Sequence, residues 1–300
     1  MRAVVTGGAG FIGSHVVEAL LARRDEVHVV DSFATGRREN LQPNATLHER
    51  DIREPLDELF RDIEPEQVVH LAAQADVGTS VEKPELDAEV NVLGTLRVLE
   101  AARAHGAPIV FSSTGGAIYG ECAEPATEAA ERQPLSPYGT SKLAGEEYLA
   151  TWNRLHGTRH VALRFANVYG PRQLAKLEGG VVAIFMDRLR AGETATIFGD
   201  GEQERDFVYV GDVVAAVLAA AGGRPGTFNV GTGVATSVTE LWRACAAAAG
   251  GAGEPAYAEP RPGDLRRSVL DAGHAKEQLG WSAQTSLADG LRQTWESGPT

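Results

Sequence analysis

The stretch VVTGGAGFIG, residues 4–13, decides how the rest of the chain is read. Two β-branched residues run into Gly7, Gly8, Gly10 and Gly13. Phe11, Ile12, Val16 and Leu20 then follow at helical spacing, so the glycines join a first strand to a first helix. Such a turn lets the backbone approach a pyrophosphate that rests on the helix N-terminus. The GxGxxG pattern formed by Gly8, Gly10 and Gly13 is weak alone. Here a second apolar run, VHVV (27–30), ends at Asp31, 18 residues beyond Gly13. A carboxylate at that place hydrogen-bonds the adenosine ribose and repels the extra phosphate of NADP, so NAD is the expected cofactor.

Outward from this turn, short β-branched runs recur: AVV (3–5), VVHLA (68–72), IVFSS (109–113) and HVALRF (160–165). Helical patterns such as Val92, Leu96 and Leu99 lie between them. That alternation predicts an α/β fold, a Rossmann-type doubly wound parallel sheet with ligands at the carboxyl ends of its strands. After Pro171 the rhythm breaks, and 250–268 is rich in Gly, Pro and Arg. The expected organisation is a cofactor domain over 1–168, to which the chain returns around 206–232. A smaller interleaved substrate lobe takes 169–205 and 233–300. Asp51 and Ile52, after TLHER (46–50), either flank the adenine or lie in an exposed loop.

A net charge of −13 argues against nucleic acid or an anionic membrane as the main partner. Cys122 and Cys245 stand far apart, without CxxC or histidine-rich spacing, so a reduced compartment and no bound metal are expected. The N-terminal residues carry no signal-peptide pattern, and the longest apolar run, VVAAVLAAA (213–221), is far short of the ~20 residues of a membrane span. A soluble, cytoplasmic protein is the expectation.

Two further stretches carry chemistry. In SPYGTSKLAGE (136–146), Tyr138 and Lys142 are four residues apart, which on a helix puts phenol and ammonium on one face. A lysine and a positive nicotinamide beside the phenol favour phenolate and would make Tyr138 a general base. In PIVFSSTGGAIYG (108–120), a strand ends in Ser112, Ser113 and Thr114, followed by Gly115 and Gly116. The strand end lies at the mouth of the expected site.

Taken together, TGGAGFIG (6–13), HLAAQ (70–74), NVLGT (91–95), YGTSK (138–142), RFANVYGPRQ (164–173), GDGEQERDFVYVGD (199–212) and RPGDL (261–265) resemble the extended short-chain dehydrogenase/reductases. The resemblance is to their NAD-dependent epimerase/dehydratase family, nearest the UDP-glucose/UDP-galactose 4-epimerase type. It covers nearly the whole chain. It implies that Gly7, Gly10, Phe11, Ile12, Gly13, Leu71, Ala72, Ala73 and Asn91 contact NAD, together with Tyr138 and Lys142. It implies that Thr114, or Ser113 if the register shifts by one, hydrogen-bonds the sugar hydroxyl that Tyr138 deprotonates. Asn167, Arg205, Arg261 and Asp264 would contact the diphosphate or the nucleotide ribose of a UDP-sugar. In related dehydratases an Asp-Glu pair follows the threonine; here Gly115 and Gly116 stand there, which leaves room for a keto sugar to turn. The resemblance also implies a homodimer through helices near 85–105 and 138–155. The alternatives are a UDP-glucuronate or UDP-N-acetylhexosamine 4-epimerase, a dehydratase, reductase or decarboxylase on the same scaffold, and a non-catalytic NAD-binding sensor.

Overall fold

The computed structural model describes residues 1–175, 180–222, 224–251, 253–260 and 264–298. Its first strand, β1 (Arg2–Thr6), is buried from Ala3 onward, and alternate side chains enter two different cores. Ala3 and Val5 pack with Val16, Val17 and Leu20 of α1 (Phe11–Ala22) on one face. Val4 packs on the other face with Phe60 of α2 (Asp57–Ile63) and Leu99 of α5 (Thr95–Arg103). Covering both faces is what makes these strands read as continuous apolar runs.

The sheet has seven strands, all parallel to their neighbours. β1 sits between β2 (Glu26–Asp31) and β4 (Gln67–His70), with β3 (Thr46–Glu49) beyond β2 at one edge. On the other side come β5 (Ile109–Thr114), β6 (Val161–Phe165) and an edge strand Gly226–Val230. The strand order reverses between β1 and β4, so their carboxyl ends open a crevice where an α/β sheet binds its ligand.

Beyond the sheet, helices Val181–Ala191 and Val238–Ala248 enclose a third apolar core around Phe185, Trp242 and Leu291. The strand Glu204–Arg205 is held between Thr236–Ser237 and Arg267–Ser268. This smaller sheet carries Arg205 to the wall of a second cavity.

Gly115 and Gly116 open the short helix α6 (Gly115–Ile118) directly after β5. A Cβ at Gly115 would lie 2.4 Å from Leu270 Cδ1, so Gly115 is small because Leu270 packs onto it. Only at Gly116 is there open space, with the nearest atom, Thr114 Oγ1, at 4.0 Å.

Candidate active site

The crevice is a cavity of about 620 Å³ lined by Gly7, Gly10, Phe11, Ile12, Gly13, Asp31, Asp51, Ile52, Leu71, Ala72 and Ala73, among others. Its floor is shaped by the glycine turn. A Cβ on Gly13 would sit 2.0 Å from the Gly7 carbonyl oxygen, and one on Gly7 would sit 2.7 Å from the Ala72 nitrogen. A Cβ on Gly10 would meet nothing but the Gly7 oxygen, at 3.2 Å, and would otherwise stand in the cavity. The first turn of α1 has no acidic residue and Gly10 provides no side-chain cap, so its N–H groups suit an anion.

Asp31 is buried at the cavity wall, where its carboxylate accepts from the Ala9 nitrogen at 2.9 Å and the Phe33 nitrogen at 2.8 Å. Each oxygen retains a lone pair for a ribose hydroxyl. Asp51 is chelated by Arg53, whose guanidinium holds its carboxyl below the usual range, while Ile52 is buried against Gly94. The residues present fit NAD: a backbone cradle for the pyrophosphate, a carboxylate for the ribose and an apolar wall for adenine.

Asn91 differs from its expected role. It belongs to a π-helical turn, Glu89–Gly94, is fully buried, and does not line the cavity. Its Oδ1 accepts from the Gln74 nitrogen at 2.8 Å, and its Nδ2 donates to the Gln74 carbonyl, Asp87 Oδ1 and Ser141 Oγ. Asn91 thus ties the loop after β4, which lines the cavity, to α7 (Pro137–His156). His70 fixes the same region from below. The Thr95 hydroxyl donates to the Asn91 carbonyl at 2.6 Å and must therefore accept from His70 Nε2–H at 3.0 Å. Nδ1 is then the acceptor for the Thr6 hydroxyl at 2.7 Å, and Thr6 Oγ1 accepts from the Ala72 nitrogen. Burial pushes His70 down to about 3, so the ring stays neutral in this one tautomer.

Helix α7 begins cleanly, with Ser136 accepting from the Gly139 nitrogen and Pro137 in the first turn. Tyr138 therefore lies in its first turn, beside the end of β5, and is hydrogen-bonded to the side chain of Thr114. One turn on, Lys142 is buried; its Nζ donates to the Ser112 carbonyl at 2.8 Å and stands over the Phe111 ring. Of the two candidate hydroxyls, Thr114 faces the phenol. Ser113 points to the opposite side of β5 and donates to Glu146, itself bound by Arg164 through three charge-assisted contacts of 2.6, 2.9 and 3.2 Å. Burial pushes the Tyr138 phenol up to about 12, against the Thr114 bond that favours phenolate, and pushes the Lys142 ammonium down to about 8. The protein's own groups thus raise the phenol rather than lower it, the reverse of what the YxxxK spacing suggests.

Tyr138 also lines a second cavity of about 430 Å³, with Asn167, Arg205 and Asp264. Arg205 is ion-paired with Asp264 there, and Asn167 Nδ2 donates to the Asp206 carbonyl. Arg261 lies outside the described residues. Val168 and Gln173 line both cavities and form the partition at which they meet. Neither stood out in the sequence, although both fall within RFANVYGPRQ. Among the described residues no cluster suited to a metal ion occurs.

Comparison with known proteins agrees with this geometry. Residues 3–231 match the profile of the NAD dependent epimerase/dehydratase family. A UDP-glucose 4-epimerase of Mycolicibacterium smegmatis is 47% identical over 306 residues, spanning 99% of this chain and 98% of the relative. The structure of a Thermotoga maritima UDP-glucose 4-epimerase with UDP-glucose superposes with a TM-score of 0.97 at 47% identity, covering 99% of this chain and 98% of that one. A Thermus thermophilus UDP-glucose 4-epimerase in complex with NAD gives a TM-score of 0.94, also at 47% identity, with 99% and 98% coverage.

Proposed function

The chain belongs to the NAD-dependent epimerase/dehydratase family, and from that premise we propose that it is a UDP-glucose 4-epimerase, interconverting UDP-glucose and UDP-galactose through a 4-keto sugar. The observation that carries the reading is the pairing of Tyr138, on the wall of the second cavity, with the Thr114 hydroxyl at the end of β5, with glycines at 115 and 116. Bound NAD supplies the acceptor, and then the donor, of hydride at sugar carbon 4. Tyr138 takes the 4-hydroxyl proton and later returns it. Thr114 orients that hydroxyl, and Lys142 supplies positive charge on the same helix face. Arg205 suits the diphosphate by its guanidinium fork once it is shared with or released from Asp264. Asn167 lines the same cavity and offers an amide to the nucleotide.

Loss of water across carbons 5 and 6 needs a base and an acid beside the oxidised carbon, and neither Gly115 nor Gly116 has a side chain to move a proton. UDP-glucose incubated with the protein is therefore expected to give a product of unchanged mass, inverted only at carbon 4, at the same final ratio from either epimer. Mass spectrometry and proton NMR check this. Steady loss of one water, or of carbon dioxide from UDP-glucuronate, would instead support the dehydratase or decarboxylase reading.

We read the enzyme as a cytoplasmic homodimer. Leu93, Leu135 and Leu155 are 49%, 68% and 68% exposed on and around the π-helical turn and α7, and such a set of apolar side chains suits a self-complementary interface. Cys122 and Cys245 are unpaired, in keeping with a reducing compartment, and no described helix is long and apolar enough to cross a membrane. Light scattering should give twice the chain mass. Leu155→Glu should lower it toward a single chain, whereas an unchanged mass would remove α7 from the interface.

A further inference from the structure

Two buried groups of opposite charge lie near Tyr138 without a direct salt bridge among the described residues: Lys142, 3% exposed, and Asp87, 1% exposed. Asp87 is on the short helix α4 (Pro84–Ala88). Its Oδ1 accepts from Gln74 Nε2 at 3.1 Å and Asn91 Nδ2 at 3.0 Å, whereas its Oδ2 is buried with no hydrogen-bond partner. An isolated buried carboxylate is costly, and structures keep one only where a charge or a polar network compensates it. Here the network leads to α7. The Asn91 amide that binds Asp87 also donates to Ser141 Oγ at 3.1 Å, and Ser141 donates to the Tyr138 carbonyl at 3.0 Å.

The charges around Lys142 leave Asp87 a distinct part. On α7 itself stand the neutral Tyr138 phenol and Glu146, and the charge of Glu146 is already matched by Arg164 of β6, with contacts of 2.6, 2.9 and 3.2 Å. From β4 comes His70, which stays neutral, and from β5 the uncharged Ser112 carbonyl and hydroxyl and the Phe111 ring. Asp87, from α4, is the remaining anion whose field reaches both Lys142 and Tyr138.

We propose that Asp87 is a positioning residue of the catalytic helix: its carboxylate is the counter-charge that keeps Lys142 an ammonium, and through Asn91 and Ser141 it anchors the backbone that carries Tyr138. This rests on reading Tyr138 and Lys142 as the reacting pair. Removing the negative charge while keeping the shape leaves the lysine charge buried and uncompensated, so it gives up its proton at lower pH. The sign follows directly: Lys142 is already depressed to about 8, and losing a nearby anion depresses it further.

The chain has four lysines, Lys83, Lys142, Lys176 and Lys276, so Nζ resonances of ¹⁵N-lysine-labelled protein, purified with its own cofactor, can be assigned by one Lys142→Met variant. In Asp87→Asn the Lys142 titration midpoint should fall by about one pH unit or more. The alkaline limb of kcat should move down by the same amount while KM for UDP-glucose changes less than about threefold. Asp87→Glu should return the midpoint most of the way. If Asp87→Asn does not fold, Asp87→Ser, which leaves space for a water, takes its place with the same expectation. An unmoved Lys142 midpoint in a folded variant, even with lowered kcat or melting temperature, overturns the proposal. Because the titration is read without turnover, absence of epimerase activity in the parent protein would refute the functional reading alone.

Discussion

Tyr138→Phe should lower kcat by ~10²- to 10⁴-fold, the usual worth of a general base, and change UDP-glucose binding and cofactor content only a few-fold. The ring keeps its place in the first turn of α7, where Ser136 accepts from the Gly139 nitrogen and Ser141 donates to the Tyr138 carbonyl, so the substitution removes one oxygen and little packing. What disappears is the proton acceptor next to Thr114. Burial, with a smaller push from the charge of Asp87 and against the Thr114 hydrogen bond, raises the phenol to about 12, so its ionised form is scarce at neutral pH in the protein by itself. The parent kcat should therefore rise with pH over the neutral range, as the raised group gives up its proton, until Lys142 begins to lose its own. That rising limb should be absent from the residual activity of the Phe variant. Both are read from the galactose-to-glucose product ratio over time at a series of pH values. Near-parent turnover in a folded Tyr138→Phe protein would remove Tyr138 from the mechanism.

Legibility of this chain in its sequence followed the range of the interactions involved. The glycine turn, Asp31 and the Tyr138–Lys142 spacing are local patterns: the glycines and Asp31 line the first cavity, Tyr138 lines the second, and Lys142 is buried one turn on from it. What the sequence left open depended on which face of a strand or helix meets a distant element. Ser113 and Thr114 are adjacent hydroxyls, and only the packing of α7 on β5 decides that Ser113 meets Glu146 while Thr114 meets Tyr138. Asn91 has the composition of a cofactor contact, but a π-helical turn directs it inward to Gln74, Asp87 and Ser141. Gly115 resembles a hinge in isolation and is small because Leu270, 155 positions later, covers it. Asp87 gave no signal, since one of three alternating acids in a surface-like sequence, KPELDAE (83–89), has the composition of a solvated helix face.

Gly10→Val and Gly13→Val should separate two uses of glycine that the motif merges. Gly10 has φ −78° and ψ −177°, extended backbone that any residue adopts, and a side chain there enters the cavity rather than the protein. Valine at this position should leave the melting temperature of the cofactor-stripped protein nearly unchanged while occupying the space above the N-terminus of α1. Losing two charge-assisted hydrogen bonds from that turn to a pyrophosphate, at about 1.5–3 kcal/mol each, corresponds to a fall in NAD affinity of roughly 10²- to 10⁴-fold. Gly13 is different: its Cβ would lie 2.0 Å from the Gly7 oxygen and 2.8 Å from Gly8 Cα, so the turn itself must shift. Overpacking of that kind costs about 1–3 kcal/mol or more, and Gly13→Val should melt several degrees lower even without cofactor. The checks are dinucleotide released on denaturation, calorimetric titration with NAD, and thermal melts of the stripped proteins. If Gly10→Val retains its full complement of NAD, the pyrophosphate does not rest on this turn, and the cofactor must enter the cavity from the side of Asp51 and Ile52 instead.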